Sequence, residues 1–453
     1  MSFDQVALPL LAVGTLVAWF ARPRAKEETT KAFREYRRNF LAAYALCAAG
    51  DALAEPYGAV LLWQYGFDVG ATVNVAWFAS LFLLWRVGPW ADQYGRKRLC
   101  VAYCVLLFVA CILTHFKDFW VMTVGFSIAY VAQAIYQSSF EAWLVSEHTV
   151  QNAFSGGILP YMFALMFFVK AMAGSVASAL TFATVHGSKN RPLFTGAKIY
   201  IGGIHGTFEL AMVVLAVSTA LITRLWNENR GGSAQAGSGS LHMALEAVRI
   251  LRRDARIALV GALVMCFHAA KDVCNAQWVA SMHFDPIFQY SGLLWTCFGT
   301  AAMCGTAIGT AVSARLEGTM RNTVLLLLGC LGCGALAFVL LAATAEHEEL
   351  RGPCFAGLLA FHFCSGWYWP LVGTLKGDIV PEHLRATFYV LFEFAAKILS
   401  YFMGRAAPCV AFGRCLAMLL AGIACLVALA RMPAPAADGQ GADGFYERAA
   451  KAV

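Results

Sequence analysis

Apolar positions along this chain neither alternate nor fall into narrow stripes. They form long runs broken by short polar stretches. A bilayer core of about 30 Å takes roughly 20 apolar residues wound as a helix, so each run predicts one membrane crossing. Thirteen runs qualify: 5–21, 39–63, 70–90, 99–115, 119–143, 159–185, 197–223, 256–282, 289–313, 322–344, 352–374, 385–405 and 407–430. The first is short, and its basic residues Arg22, Arg24 and Lys26 follow it, the reverse of a signal peptide; it reads as an extra N-terminal anchor. The other twelve divide six and six at the longest polar interruption, Arg224 to Arg256, a Gly/Ser-rich linker followed by a basic amphipathic segment. The expected fold is an all-α membrane protein with 6+6 transmembrane helices in two pseudo-symmetric bundles plus one extra N-terminal span. Its segments are 1–38, 39–223, 224–255, 256–430 and a tail, 431–453.

Composition agrees with this reading. Of 453 residues, 60% are apolar and 13% charged, too little polar cover for a soluble domain. The net charge of +7 has a topological origin. Of 34 Lys and Arg, 23 fall in alternate loops (22–38, 91–98, 224–256, 314–322, 375–386 and the tail), and six fall in the opposite ones. This bias predicts an N-terminus outside and a central loop and C-terminus in the cytoplasm, in a multi-pass protein of the plasma membrane. Nucleic acid is not needed to explain the charge. The expected partners are the lipid bilayer and a small solute, with the chain acting as a monomer.

Of the fifteen cysteines, most sit inside apolar runs, and Cys330 and Cys333 read as buried structural thiols. His283 and Asp285 are too few ligands for a metal, and no cofactor is expected. The chain has no phosphate-binding loop, no H-E-x-x-H and no polar domain able to hold a catalytic site, so an enzyme is not expected.

After the third run comes Gly88-Pro-Trp-Ala-Asp92-Gln-Tyr-Gly95-Arg96-Lys97-Arg98. Gly95 permits a tight turn, and Asp92 at a helix end can pair with Arg96 or with a helix terminus of the other bundle. A contact of that kind closes one side of a carrier and must break when it switches. The stretch resembles the G-x-x-x-D-x-x-G-R-[RK]-x signature of the major facilitator superfamily and falls where that superfamily carries it. The resemblance implies the major facilitator fold, alternating access about a central site, and a gating role for Gly88, Asp92, Gly95, Arg96, Lys97 and Arg98. The equivalent loop of the second half, Arg315 to Arg321, is degenerate, so an asymmetric gate is expected.

Further stretches are similar to the molybdate-anion transporter branch of that superfamily. They are Asp51-Ala-Leu-Ala-Glu55-Pro56-Tyr57 with Tyr65-Gly-Phe67; Ser139-Phe-Glu141-Ala-Trp143 with Glu147-His148; Trp226-Asn-Glu228-Asn229; and Gly366-Trp-Tyr-Trp369-Pro370 followed by Val380-Pro-Glu382, Arg385 and Thr387. The resemblance implies a small anionic solute, molybdate first. The chain departs from the branch at charged positions. Phe126 stands where the branch commonly has Arg, His268 where it has Glu, and Glu393 where it has Arg.

An ionisable side chain at mid-membrane costs at least ~2.5 kcal/mol, so it normally faces water or a partner. Asp51 and Glu55 share a helix face, either as a proton or cation coupling site or as partners for basic residues on other helices. His268, Lys271 and Asp272 share another face. Glu393 and Lys397, four apart, form an internal salt bridge, or else Lys271 and Lys397 supply the positive charge an anion needs. Glu141 and Arg86, near the same membrane side, are expected to pair, Glu141 as a coupling or gating residue and Arg86 as part of the gate. Lys170, Glu209 and Arg414 read as isolated charges that snorkel or pair between helices, and His362 with Trp367 to Trp369 as cavity lining or packing.

The expected function is therefore secondary active transport of a small inorganic oxyanion. A proton-coupled carrier of an organic solute or cation is the alternative, and a non-transporting receptor on the same fold is a third.

Overall fold

The computed structural model describes residues 3–25, 30–155, 158–194, 198–230, 240–282, 290–316 and 320–432. Fifteen α-helices account for nearly all of them. The first eight are α1 (Phe3–Phe20), α2 (Lys31–Ala54), α3 (Gly58–Gln64), α4 (Val69–Tyr94), α5 (Arg96–Leu113), α6 (Phe119–Ser146), α7 (Leu159–Gly187) and α8 (His205–Leu225). After the linker helix α9 (Ser240–Arg253) come α10 (Ala255–Met282), α11 (Ser291–Ser313), α12 (Met320–Thr344), α13 (Arg351–Ile379), α14 (Arg385–Gly404) and α15 (Pro408–Ala430). Among the described residues, ten helical segments are long and apolar enough to cross a membrane, α2 and α3 counting as one; α1, α5 and α13 are not among them.

The packing repeats. In the first half α2 contacts α7 and α8, α6 contacts α4 and α5, and α5 contacts α8. In the second half α10 contacts α14 and α15, α13 contacts α11 and α12, and α12 contacts α15. Shifting each helix of the first set to its counterpart six crossings later maps one set of pairs onto the other. The two halves then meet along α7 with α11 and along α4 with α14, a pair of contacts that the same shift exchanges.

Small residues make the first of these joints close. A Cβ on Gly292 would stand 2.5 Å from the Thr181 hydroxyl, and one on Gly299 would stand 2.5 Å from the Ser175 hydroxyl. The Gly305-x-x-x-Gly309 pair faces α13, where added Cβ atoms would run into the Phe363 carbonyl and the Trp367 ring. Helix α1 lies against α11, with Cys304 donating its thiol to the Gly14 carbonyl at 3.1 Å.

Several boundaries differ from the sequence expectation. The run expected to begin at 197 enters its helix only at His205. Arg191–Pro192 and Tyr200–Ile201 pair as a short antiparallel ladder, and Gly202 and Gly203 take positive φ (69° and 52°), which no right-handed helix accepts. The second run breaks at Glu55–Tyr57 because Pro56 has no N–H to continue α2. The sixth helix continues into a π-helical turn, Glu147–Gln151. Cys330 is buried and donates to the Cys364 carbonyl, but Cys333 is exposed, on the outward face of α12, so the two thiols do not share an environment. His283, Asp285, Gly318 and the tail beyond 432 lie outside the described residues.

Candidate functional site: a charged chamber and a bonded gate

About halfway along the helices, charged side chains from both halves face one another. Asp51 comes from the last turn of α2 and Glu55 from the residue that caps it, Lys170 from α7, Lys271 and Asp272 from α10, and Lys397 from α14. All are at least partly accessible to solvent, in contrast to the closed apolar core around them. Asp51 accepts a hydrogen bond from Gln133 of α6 and interacts electrostatically with Lys170 and Lys271. Glu55 interacts with the same two lysines and with Lys397.

The pairing differs from the expectation. Glu393 does not bridge to Lys397 on its own helix. It binds His268 of α10, while Gln137 of α6 turns its amide nitrogen towards both carboxylate oxygens. Lys397 instead reaches across to Asp272 at 2.7 Å. Helical spacing puts residues four apart within reach of each other, but a neighbouring helix offers a partner at shorter range. Lys397 is thereby neutralised. Among the described residues the ammonium groups that make no ion pair within 4 Å here are those of Lys271 and Lys170, and Lys170 was not recognisable as a site residue from the sequence. Its Nζ lies 4.5 Å from the centre of the Tyr136 ring and 6.0 Å from that of Trp369, aromatic rings of opposite halves. His362 is buried and stacks on Phe298 with centroids 4.4 Å apart, a packing role.

Tyr57 is fully buried at the end of the molecule away from the Asp92 loop. Its hydroxyl accepts from the Gly292 amide at 3.3 Å, and the neighbouring Pro56 carbonyl accepts from the Ser291 hydroxyl at 2.6 Å. These bonds join the two halves above the chamber.

At the other end, which holds most of the basic loops, Asp92 and Arg96 are buried together, 2.9 Å apart. Asp92 also accepts from the Thr387 amide at 2.9 Å and the Thr387 hydroxyl at 3.0 Å, in the first turn of α14, where unpaired amides and the helix dipole favour an anion. Arg96 donates to Glu382 of the second half through its side chain at 2.6 Å and its carbonyl at 2.8 Å. Gly88 allows the close approach, since a Cβ there would meet the Ala386 carbonyl and Thr387 Cα at 2.6 Å. Gly95 has φ +121°, and its missing Cβ leaves room for the Glu228 carboxylate, which accepts from the Lys97 amide at 2.9 Å. Burial pushes the Glu228 carboxyl above its ordinary value, and that amide and Arg98 oppose the rise. Lys97 also donates to the Thr223 carbonyl at 2.9 Å.

Arg86 does not pair with Glu141. It is exposed, its guanidinium 4.8 Å from the centre of the Trp85 ring, because its side of α4 faces away from α6. Glu141 binds Lys376 of α13 at 2.6 Å, both side chains almost wholly buried, and Lys376 Nζ sits 4.3 Å from the centre of the Tyr389 ring. Lys376 carries no spacing signal in the sequence. The apolar run ends at 374 and leaves Lys376 to the basic loop that follows, but α13 continues to Ile379.

Most stretches that carry the family resemblance therefore meet at this end of the molecule. Trp143 donates to the Asn227 carbonyl, Asn229 donates to the Trp143 carbonyl and to Glu147, and Trp226 stacks on Trp143 with centroids 4.1 Å apart.

Known proteins agree with the architecture. Residues 2–360 match a family described as sugar transporters with twelve transmembrane segments. The molybdate-anion transporter of Xenopus tropicalis is 25% identical over 383 residues, covering 82% of this chain and 80% of that protein. That of Takifugu rubripes is 23% identical over 424 residues, covering 88% and 85%. Among solved structures, the human organic anion transporter MFSD10 superposes with a TM-score of 0.64 at 13% identity, over 87% of this chain and 99% of that one. The Escherichia coli fucose:proton symporter gives 0.63 at 11% identity, over 87% and 98%.

Proposed function

Since the chain belongs to the twelve-transmembrane transporter family that its first 360 residues match, within the major facilitator superfamily, we propose that it is a secondary active carrier moving a small inorganic oxyanion, molybdate first, by alternating access. The observation that carries the substrate class is the pair of ammonium groups on Lys170 and Lys271. They come from opposite halves, reach a solvent-accessible chamber at mid-depth, and make no ion pair within 4 Å among the described residues. A charge kept there without a direct partner is costly, and an anion seated between the two would relieve both. The names of the curated relatives point to the same chemistry.

In this reading residues 39–223 and 256–430 are the rocking units, joined by the linker 224–255, and the chain works as a monomer in the plasma membrane. The basic end, with Asp92, Arg96, Lys97 and Arg98, faces the cytoplasm, and the N-terminus lies outside. The bonds from Asp92 and Arg96 to α14 and Glu382, and from Glu141 to Lys376, hold the inner gate shut, while Tyr57 and Pro56 hold the outer side through α11. The phenylalanine at 126 and the glutamate at 393 do not remove positive charge from the chamber, because Lys170 and Lys271 provide it from other helices.

Expression in a molybdate-limited host tests the reading. The wild type should raise cellular molybdenum, and Lys170→Gln and Lys271→Gln should each reduce that rise more than tenfold at unchanged membrane abundance. Full uptake by the double variant would sink it. The two carboxylates in the same chamber support a second reading, a proton-coupled carrier of an organic cation. In that case the lysine variants would keep transport, and Asp51→Asn would lose it.

A further inference from the structure

Several other ionisable side chains of the membrane-spanning part bind one another directly: His268 and Glu393, Glu141 and Lys376, and, within the chamber, Asp272 and Lys397. Four further side chains of the chamber keep a different balance. Asp51, Glu55, Lys170 and Lys271 make no ion pair within 4 Å among the described residues, yet each carboxylate interacts electrostatically with both lysines. Two negative and two positive charges leave the empty chamber neutral. A tetrahedral dianion that enters while all four are ionised brings the total to minus two, in surroundings that screen charge far less than water does. It also has to take the lysines away from two carboxylates that already use them. Neither difficulty remains if each carboxylate is protonated as the dianion arrives.

From this geometry, and resting on the oxyanion reading above, we propose that Lys170 and Lys271 seat a tetrahedral dianion only when Asp51 and Glu55 have each taken up one proton, so that one dianion crosses with two protons and no net charge. The protons come from the solution on the side the chamber faces and leave to the other side when the dianion departs and the lysines return to the carboxylates. Charge is then balanced in both half-cycles, because the empty chamber is neutral and the loaded chamber is neutral. The carrier can reorient in either form without moving charge through the membrane.

The other titratable groups near the two carboxylates do not supply the protons. From α5 and α6 they are Tyr103, Cys111 and Tyr136 around Asp51 and Tyr130 around Glu55, phenols and a thiol that are neutral in the physiological range. On α2 itself Tyr44 is of the same kind. Glu141 of α6 and Lys397 of α14 approach the cluster but hold their own partners, and His362 of α13 faces Lys271 from a buried stack. On α8, Glu209 is occupied by the Gly202 amide at the outer end.

The test uses the purified full chain in proteoliposomes with labelled molybdate, an internal pH dye and a potential clamped by potassium and valinomycin. An acid outside should drive accumulation, the interior should gain two protons for each molybdate, and the initial rate should not change with the clamped potential. Apparent affinity should tighten as the outside becomes more acid, by up to about 100-fold per pH unit where both carboxylates titrate. Glu55→Gln and Asp51→Asn should lose acid-driven accumulation and keep molybdate–molybdate exchange. The wild-type proton count and potential dependence stand even if a variant fails to fold. Molybdate flux that carries negative charge inward, or that moves fewer than two protons, overturns this inference and leaves the oxyanion reading in place. Absence of molybdate flux and binding in the wild type at every pH overturns both.

Discussion

Replacing Lys376 by Met removes one half of a buried ion pair that spans the two bundles. In the wild type the ammonium lies 2.6 Å from the Glu141 carboxylate and 4.3 Å from the centre of the Tyr389 ring, and the two charged side chains are only 3% and 4% exposed. Removing one partner of such a pair leaves an uncompensated buried charge and costs roughly 3–5 kcal/mol. That cost applies while the gate is shut. Once α6 and α13 separate at the basic end, Glu141 meets water, where an exposed pair is worth only about 0–1 kcal/mol. The substitution should therefore shift the equilibrium towards an open basic end by about 3 kcal/mol or more, a factor of at least roughly 100 at ~1.4 kcal/mol per decade. Methionine keeps the apolar stem against Tyr389, so the effect reports charge more than lost volume.

The shift can be read as a distance distribution between spin labels on Val150 and Ala314, both exposed at the basic end, one on each half. The background should carry serine at exposed Cys333 and at the partly exposed Cys304, Cys409 and Cys425. The wild type should give the short, closed distance and Lys376→Met a predominantly longer one. Glu141→Gln combined with Lys376→Met removes both charges and should recover most of the closed population. If the double variant stays as open as the single one, or the single one stays closed, the pair does not hold the gate.

Three further outcomes follow from the same geometry. Gly88→Ala places a methyl 2.6 Å from the Ala386 carbonyl and should cut uptake at least tenfold, whereas Gly329→Ala, with nothing within 4 Å, should be neutral; uptake assays at matched abundance compare them. Asp92→Asn loses the charge shared by Arg96 and the first turn of α14, and should lengthen the Val150–Ala314 distance in the same labelled background. Trp226→Ala empties the stack on Trp143 and Phe40 and the bond to the Asn39 carbonyl, a loss of about 3–5 kcal/mol that should appear as a lower melting temperature in detergent.

The fold was largely legible because the rule behind it is local. A run of about 20 apolar residues must be helical in lipid, since no water is there to satisfy a bare backbone. Where the reading slipped, short-range chemistry overrode hydropathy. Tyr200 and Ile201 are apolar enough to join a span, but the glycines after them adopt backbone angles that a helix excludes. The bonded cluster at the basic end was also legible, because its parts lie close together in sequence. Asp92 and Arg96 are four apart, and Gly95 between them marks the turn.

The chamber was harder to read, and the reason is geometric. Which charges share a face follows from a period of 3.6 residues, but which charges pair depends on helix neighbours that only the assembled fold provides. Glu393 and Lys397 satisfy the local rule and still choose His268 and Asp272 on α10. Lys170 had no charged neighbour in sequence to draw attention to it, yet its position on α7 brings it to Asp51. The stretches that resemble known transporters mostly build the bonded cluster at the basic end, including Trp143, Trp226 to Asn229, Glu382 and Thr387. A family resemblance resting on those residues speaks for how the carrier closes. Its cargo has to be argued from the two lysines and two carboxylates of the chamber, which make no ion pair within 4 Å among the described residues.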